Sequence, residues 1–88
     1  MRNSYTLASL REGEWGRVTD ILADDSMRRR LMDIGLVAGT QVVCLQRAPA
    51  GDPVAYGVRG AVIALRQTDA SDVLLEAPPS MRGAGSWD

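Results

Sequence analysis

The sequence predicts a mainly β fold, a small and strongly bent sheet with one inserted helix. The chain has 88 residues, which allows one domain with one core. Its short alternating apolar segments are separated by glycine and proline turns, as in a meander of strands. One stretch, residues 24–34, instead has apolar residues at helical spacing. Hydrophobic residues make up 45% of the chain and phenylalanine is absent, so an aliphatic core is expected.

The first long strand is predicted at residues 15–22. Trp15, Val18 and Ile21 alternate imperfectly with polar residues, which suits a curved strand, and Gly16 is a candidate bend. Before it, leucines at positions 7 and 10 predict one turn that places two apolar side chains against the core.

A helix is predicted from Asp25 to Ile34. The segment Asp24-Asp25-Ser26 offers side chains that cap a helix N-terminus. Met27, Leu31 and Ile34 form one apolar stripe at i, i+4 and i+7. A left-handed cap at the following glycine, residue 35, is expected to end the helix.

The opposite face of this helix carries Arg28 and Arg29. Asp24 and Asp25 precede them by four residues, the spacing of favourable acid-first pairs. This pattern is typical of a solvated, paired surface more than of a nucleic-acid patch.

The second half of the chain predicts three strands, at residues 40–45, 54–58 and 61–66. The loop 48–53 carries two prolines and a glycine, so a stiff projecting tip is expected. Arg59-Gly60 permits a tight reversal. One short helical turn at residues 68–71 and a last strand at 73–75 complete a domain over residues 1–77, and residues 78–88 have the composition of a disordered tail.

Composition limits the classes of function. Ten basic residues, all arginine, against eleven acidic ones leave a formal charge of -1, so no strong field attracts nucleic acid or an anionic membrane. The chain has no histidine, and Cys44 is its one cysteine, which predicts a small buried side chain in a strand. A cytoplasmic protein is expected because no segment resembles a signal peptide or a membrane span.

Catalytic and metal sites are not expected from these residues. Without histidine, a serine or threonine nucleophile lacks its commonest base, and a single cysteine is too few to build a zinc site of the usual nitrogen and sulfur ligands. The acidic residues Asp20, Asp24 and Asp25 are better explained by the start of the helix than by a metal site. We therefore predict no catalytic residue, no cofactor and no metal ligand.

The ordered motifs resemble the FeoA domain family, small cytosolic accessory proteins of bacterial ferrous iron transport. The similarity extends over roughly residues 7–76. The motifs on which the resemblance depends are, in chain order, Arg30-Leu31-Met32, Gly35-Leu36-Val37-Ala38-Gly39, Ala48-Pro49-Ala50-Gly51-Asp52-Pro53, Ala64-Leu65-Arg66 and Asp69-Ala70.

The resemblance implies an SH3-like barrel of five strands with one inserted helix and a second short helical turn. It also implies binding to the membrane transporter FeoB, whose cytosolic G domain hydrolyses GTP. The expected binding surface, by exposure in the predicted fold, consists of Arg28, Arg29, Pro49, Asp52 and Pro53.

Two other hypotheses stay open at this point. The domain that the chain resembles is also found at the end of iron-dependent transcription regulators, so the resemblance leaves a free-standing sensing module as one of them. A small RNA-binding barrel is the other, with arginine side chains and Trp15 or Tyr56 as stacking platforms. Edge strands of an incompletely closed barrel can also pair between copies, which would give a homo-oligomer.

Overall fold

The computed structural model of the chain describes residues 5–76. Helix, strand and turn positions follow the predicted order apart from one additional short strand at the start, and the tail predicted at residues 78–88 lies outside this range. The elements are β1 (Tyr5–Thr6), a 3-10 turn (Leu7–Ser9), β2 (Trp15–Ile21), α1 (Asp25–Asp33), β3 (Gln41–Arg47), β4 (Val54–Val58), β5 (Ala61–Leu65), α2 (Gln67–Ala70) and β6 (Val73–Leu75).

One antiparallel sheet contains all six strands, in the order β1-β6-β2-β3-β4-β5. The prediction of a five-stranded barrel is therefore wrong in strand number, and the six-stranded sheet is not closed into a barrel. The extra strand, β1, has only two residues, which pair with Leu74 and Leu75 and are too few to show an alternating pattern in the sequence. In the described residues no strand ladder joins β1 to β5, the two ends of the sheet.

Two irregularities curve the sheet. The pairing of β2 with β6 shifts register between Val18 and Asp20, and that of β3 with β4 shifts between Cys44 and Gln46. Extra residues of this kind bend a strand and increase its twist. The sheet is therefore curved, and the side chains on its inner face form the core.

The core is aliphatic, as the composition predicts. Its one aromatic member among the fully buried side chains is Tyr56, at the centre of β4. The other side chains with no exposed surface at all are Leu7, Leu10, Val18, Leu36, Val42, Cys44, Val54, Ala70 and Val73. Every element except the short β1 supplies at least one buried residue to a single cluster.

Helix α1 ends in the left-handed cap that the sequence predicts. Gly35 has φ +107°, its N–H donates to Met32 O at 3.0 Å, and the Leu36 N–H donates to Leu31 O at 3.1 Å. These two bonds satisfy carbonyl groups that a helix end otherwise leaves free.

The cap changes the predicted apolar stripe. Leu31 is buried and Met27 packs against the core, but Ile34 is 41% exposed. The chain reverses at Gly35 and turns Leu36 into the core, so Leu36 occupies the place that Ile34 was expected to fill. The expected burial of Ile34 is wrong for this reason.

The turn between β4 and β5 has the predicted two-residue form. Arg59 and Gly60 have φ values of +51° and +81°, and Val58 pairs with Ala61 across them. Positive φ at both central residues matches the twist of a hairpin. The turn therefore sets the register of β5, the last strand of the sheet.

Within residues 5–76, no helix has the length and apolar character that crossing a lipid bilayer requires.

Candidate partner-binding surface

The loop between β3 and β4, residues 48–53, is closed by its own backbone. The Ala48 N–H donates to Pro53 O at 3.1 Å, and the Gly51 N–H donates to Ala48 O at 2.7 Å. Pro49, Asp52 and Pro53 lie on this compact loop, and all three are exposed. The segment thus presents fixed polar and proline surface to solvent, with little backbone freedom to lose on binding.

Asp52 also has a structural contact that sequence reasoning missed. Its Oδ1 accepts a hydrogen bond from the Gln67 N–H at 2.8 Å, at the first residue of α2. A carboxylate at this position satisfies one of the free N–H groups of a helix start. Asp52 therefore holds the loop against α2, and one of its two oxygens is already used.

Arg47 holds the base of the same loop from the other side. Its Nη2 donates to Leu10 O at 2.7 Å, and its backbone N–H donates to Glu12 Oε2 at 2.8 Å. These contacts span 37 and 35 residues of sequence, so the sequence carries no local signal for them. Together with Asp52 they make the loop a supported part of the fold.

The second predicted group of residues lies on the exposed face of α1. Arg28 and Arg29 are both exposed, but the predicted pairs with Asp24 and Asp25 are not among the ion pairs of the described residues. Arg28 Nη2 instead lies 3.5 Å from Asp20 Oδ1 on β2.

Arg28 does not pair with Asp24 because the Asp24 carboxylate is bonded to the helix backbone. Its Oδ1 accepts the Met27 N–H at 2.9 Å and so caps the helix start. Asp24 therefore turns towards the backbone, and Arg28 bridges from α1 to β2. Exposed pairs of this kind contribute little to stability.

The structure does not join these two groups of predicted residues. The loop is bonded to α2 through Asp52, whereas α1 is linked to β2 through Arg28. Within residues 5–76, no hydrogen bond, ion pair or cleft includes members of both groups. They form two surface patches, which we call the loop patch (Pro49, Asp52 and Pro53) and the helix patch (Arg28 and Arg29).

A third feature, between α1 and β5, was not predicted. A cleft of about 440 Å³ separates the two elements. Ile34, which lines it, is 41% exposed, and Val62, on β5, is 62% exposed. The run Ala61-Val62-Ile63-Ala64-Leu65 is apolar on both faces of the strand, which is the sequence signal that could have indicated an unusual edge.

Cys44 and the three acidic residues near the start of α1 are the other groups that the sequence analysis considered for chemistry. Burial raises the pKa of the Cys44 thiol, so the thiolate that would act as a nucleophile is disfavoured. Asp20, Asp24 and Asp25 form no group suited to a metal ion, and no such group occurs in residues 5–76.

The prediction that Tyr56 could serve as a stacking platform for RNA is wrong. The ring has no exposed surface, and its hydroxyl group bonds within the core. A base cannot stack on an enclosed ring, so an RNA site would have to depend on Trp15, which is partly exposed.

Comparison with protein-family models matches the FeoA domain to residues 5–77. The FeoA-like protein of Clostridium acetobutylicum, solved by NMR, is 34% identical, with a TM-score of 0.76 over 86% of this chain and 88% of that one. Stenotrophomonas maltophilia FeoA, crystallised with zinc and described as a procaryotic SH3 domain protein, is 29% identical, with a TM-score of 0.73 over 82% and 89% of the two chains.

A curated relative contains this domain within a longer protein. It is the Fe(2+) transport protein A/Fe(2+) transporter FeoB fusion protein of Porphyromonas gingivalis, 29% identical over 70 residues. The match covers 80% of this chain and only 8% of the fusion protein. The fold also occurs in a manganese-dependent transcriptional repressor, where 21% identity and a TM-score of 0.72 show likeness of fold alone.

Proposed function

The chain belongs to the FeoA domain family, and from that membership we propose that it is a cytoplasmic accessory protein of ferrous iron uptake that binds a FeoB-type transporter. The family is one of accessory proteins of this transport system. In this proposal the chain performs no catalysis of its own and acts by contact with the cytosolic part of the transporter.

One observation carries the proposal. In the Porphyromonas gingivalis relative, a matching domain and a FeoB transporter are parts of one chain. Fusion keeps two domains at high effective concentration, which favours even a weak contact between them. A separate chain with the same domain would have to supply that contact through its own surface.

The loop patch and the helix patch are the surfaces we propose for this contact. The loop is held at both ends by Arg47 and Asp52, so its proline surface needs little ordering on binding. Arg29 is exposed and forms no ion pair within residues 5–76, which leaves its guanidinium group free for an acidic partner.

Co-purification tests the proposal directly. Tagged full-length protein is expected to enrich the FeoB-type transporter from membranes of iron-starved cells, and its addition is expected to change the transporter's GTP hydrolysis and iron uptake. Absence of enrichment, with no effect on either rate, would contradict the proposed function.

A charge-matched pair of variants tests the surface. Arg29→Glu reverses a charge in the helix patch, whereas Arg11→Glu makes the same change at an exposed residue outside both patches. We expect the first to weaken transporter binding and the second to leave it unchanged. Equal loss in both variants would indicate a general charge effect and would remove the helix patch from the proposal. Pro49→Ala tests the loop patch in the same assay.

A further inference from the structure

Strand β5 is the last strand of the sheet and has one paired edge. Its register with β4 places Val58 opposite Ala61, Tyr56 opposite Ile63 and Val54 opposite Leu65. A two-residue turn closes on a hydrogen-bonded pair, and such pairs alternate along an antiparallel ladder.

The backbone groups of the intervening residues therefore face outward. Val62 and Ala64 fall between the hydrogen-bonded pairs, so their N–H and C=O groups point away from β4. No backbone or side-chain group in residues 5–76 bonds to them. The strand thus presents two donors and two acceptors in the spacing that an added strand requires.

This edge lacks the features that usually prevent strand addition. Such features are a charged side chain, a proline or a bulge within the edge strand. Residues Ala61–Leu65 contain no charge and no proline, and their register with β4 is unbroken. Val62 is 62% exposed on the outer face, so the edge offers apolar contact as well as hydrogen bonds.

The cleft beside β5 provides space for the side chains of an added strand. Its apolar lining comes from both sides, with Met27, Leu31 and Ile34 from α1 and its cap and Ala64 and Leu65 from β5. Alternate side chains of an extended peptide point to opposite faces. One set could therefore enter the cleft while the other lies over Val62.

The charges around the edge are mostly positive. Arg30 and Arg66 line the cleft, Arg59 precedes β5, and Asp69 is the one acidic residue in the lining. None of these arginines forms an ion pair within the described part of the chain. An acidic segment would complement this surface.

Pairing of β5 with β5 of a second copy is less favourable because of the same positive charges. If β5 paired antiparallel with β5 of a second copy about Ile63, Gly60 would lie opposite Arg66 and Arg59 would come close to that same arginine. Each end of such a ladder would bring two cations together, which is destabilising. The charges therefore favour a different chain as the occupant.

We propose that the free edge of β5 binds an extended segment of the transporter's cytosolic part, with alternating apolar residues and acidic residues at its flanks. The segment adds a seventh strand by bonding to the backbone of Val62 and Ala64. This inference rests on the proposed function and names a different surface from the two patches.

Hydrogen exchange of single amides tests this geometry. With the full-length transporter in detergent as the probe, exchange is quenched and then measured by NMR on the dissociated protein. We expect the amides of Val62 and Ala64 to exchange at least about tenfold more slowly in the complex. The amide of Ile63, already bonded to β4, is expected to change little.

Variants at the edge give an independent readout. Val62→Lys places a charge on the edge, and Leu22→Lys makes the same change at a residue that is also 62% exposed but lies outside β5. Ala64→Pro removes an outward N–H that the fold does not use. We expect the two edge variants to bind the transporter at least about tenfold more weakly and Leu22→Lys to bind as the unchanged protein does.

Each other outcome overturns the inference. Transporter binding that the edge variants do not weaken would leave the proposed function intact and exclude β5. No binding by the unchanged protein would exclude both. Concentration-dependent self-association that Val62→Lys abolishes would identify a second copy as the occupant, and slow exchange at Val62 and Ala64 in the free monomer would identify the chain's own terminal residues.

Discussion

The hydroxyl group of Tyr56 donates a hydrogen bond to the backbone carbonyl oxygen of Leu7 at 3.1 Å, inside the core. The same oxygen accepts the Leu10 N–H at 3.1 Å, so both of its lone pairs are used. This contact joins β4 to the 3-10 turn across forty-nine residues of sequence. It holds the N-terminal turn over the core at a place where no strand ladder of the described residues does so.

Tyr56→Phe is expected to lower the free energy of unfolding by about 1 kcal/mol, the usual net contribution of one hydrogen bond. The loss stays moderate because Leu7 O keeps its bond to the Leu10 N–H. Urea unfolding measures the effect, with Tyr5→Phe as the matched control, since Tyr5 is partly exposed and its hydroxyl has no partner within residues 5–76. Equal losses in both variants would mean that the buried bond is not the cause.

Stability is expected to fall in alkaline solution because of Tyr56. Burial raises the pKa of Tyr56 to about 12 from its ordinary value of 10. The folded state therefore holds this proton after the unfolded state has lost it, and the stabilisation is present below about pH 10 and lost as the pH rises towards 12. The loss should be on the order of 2 kcal/mol.

Unfolding of the unchanged protein and of the Tyr56→Phe variant, each measured between about pH 10 and 12, separates the contribution of Tyr56 from that of other titrating groups. Burial also raises the pKa of the Cys44 thiol, so part of the alkaline loss belongs to that group. Tyr56→Phe keeps the Cys44 contribution and lacks the phenol. If the variant lost as much stability as the unchanged protein between about pH 10 and 12, the phenol would not be responsible.

Gly16→Ala is expected to destabilise the fold by about 1–3 kcal/mol, as overpacking of a core does. A Cβ atom at residue 16 would lie 2.5 Å from Leu75 Cδ1, and the Leu75 side chain is only 5% exposed. Leu75 would have to move into packed surroundings. Thermal or urea unfolding measures the change.

A double-mutant cycle supplies the control for this contact. Leu75→Ala alone should cost about 2–5 kcal/mol by leaving a cavity. In the double variant the methyl group added at residue 16 would enter that space, so the combined loss should be smaller than the two single losses together. Additive losses would show that Gly16 is required for some other reason.

Asp52→Ala is expected to destabilise the protein by about 1 kcal/mol because α2 loses its cap. Asp52→Asn keeps an oxygen acceptor for the Gln67 N–H and should lose less. The pair also separates the two roles of Asp52. If Asp52→Asn folds normally yet binds the transporter more weakly, its charge belongs to the loop patch; unchanged binding would remove Asp52 from that patch and leave it a structural residue.

Local sequence was sufficient wherever the structure depends on neighbouring residues. The helix start at Asp24, the left-handed residue Gly35 and the two-residue turn at Arg59 all follow from backbone and side-chain preferences within a few positions. The alternation of Val54, Tyr56 and Val58 likewise predicted which side of β4 is buried.

The functional surface was less accessible to sequence reasoning. Exposure of Asp52, Pro53 and Arg29 was predicted correctly, because charged and turn residues at such places face solvent. That Asp52 is bonded to α2, and that Arg28 pairs with Asp20, depends on how distant elements meet. The sequence therefore predicted one binding surface, whereas in the structure its residues form two separate patches.

By itself the sequence determined the family, the β-rich class, the aliphatic core and the turns, because these depend on composition and on short-range spacing. Tertiary structure alone decided the sixth strand, the open ends of the sheet and the exposure of Val62. Those features arise where segments far apart in the chain compete for the same backbone partners and core space. The local sequence pattern does not show which of these segments gains the backbone partners and the core space.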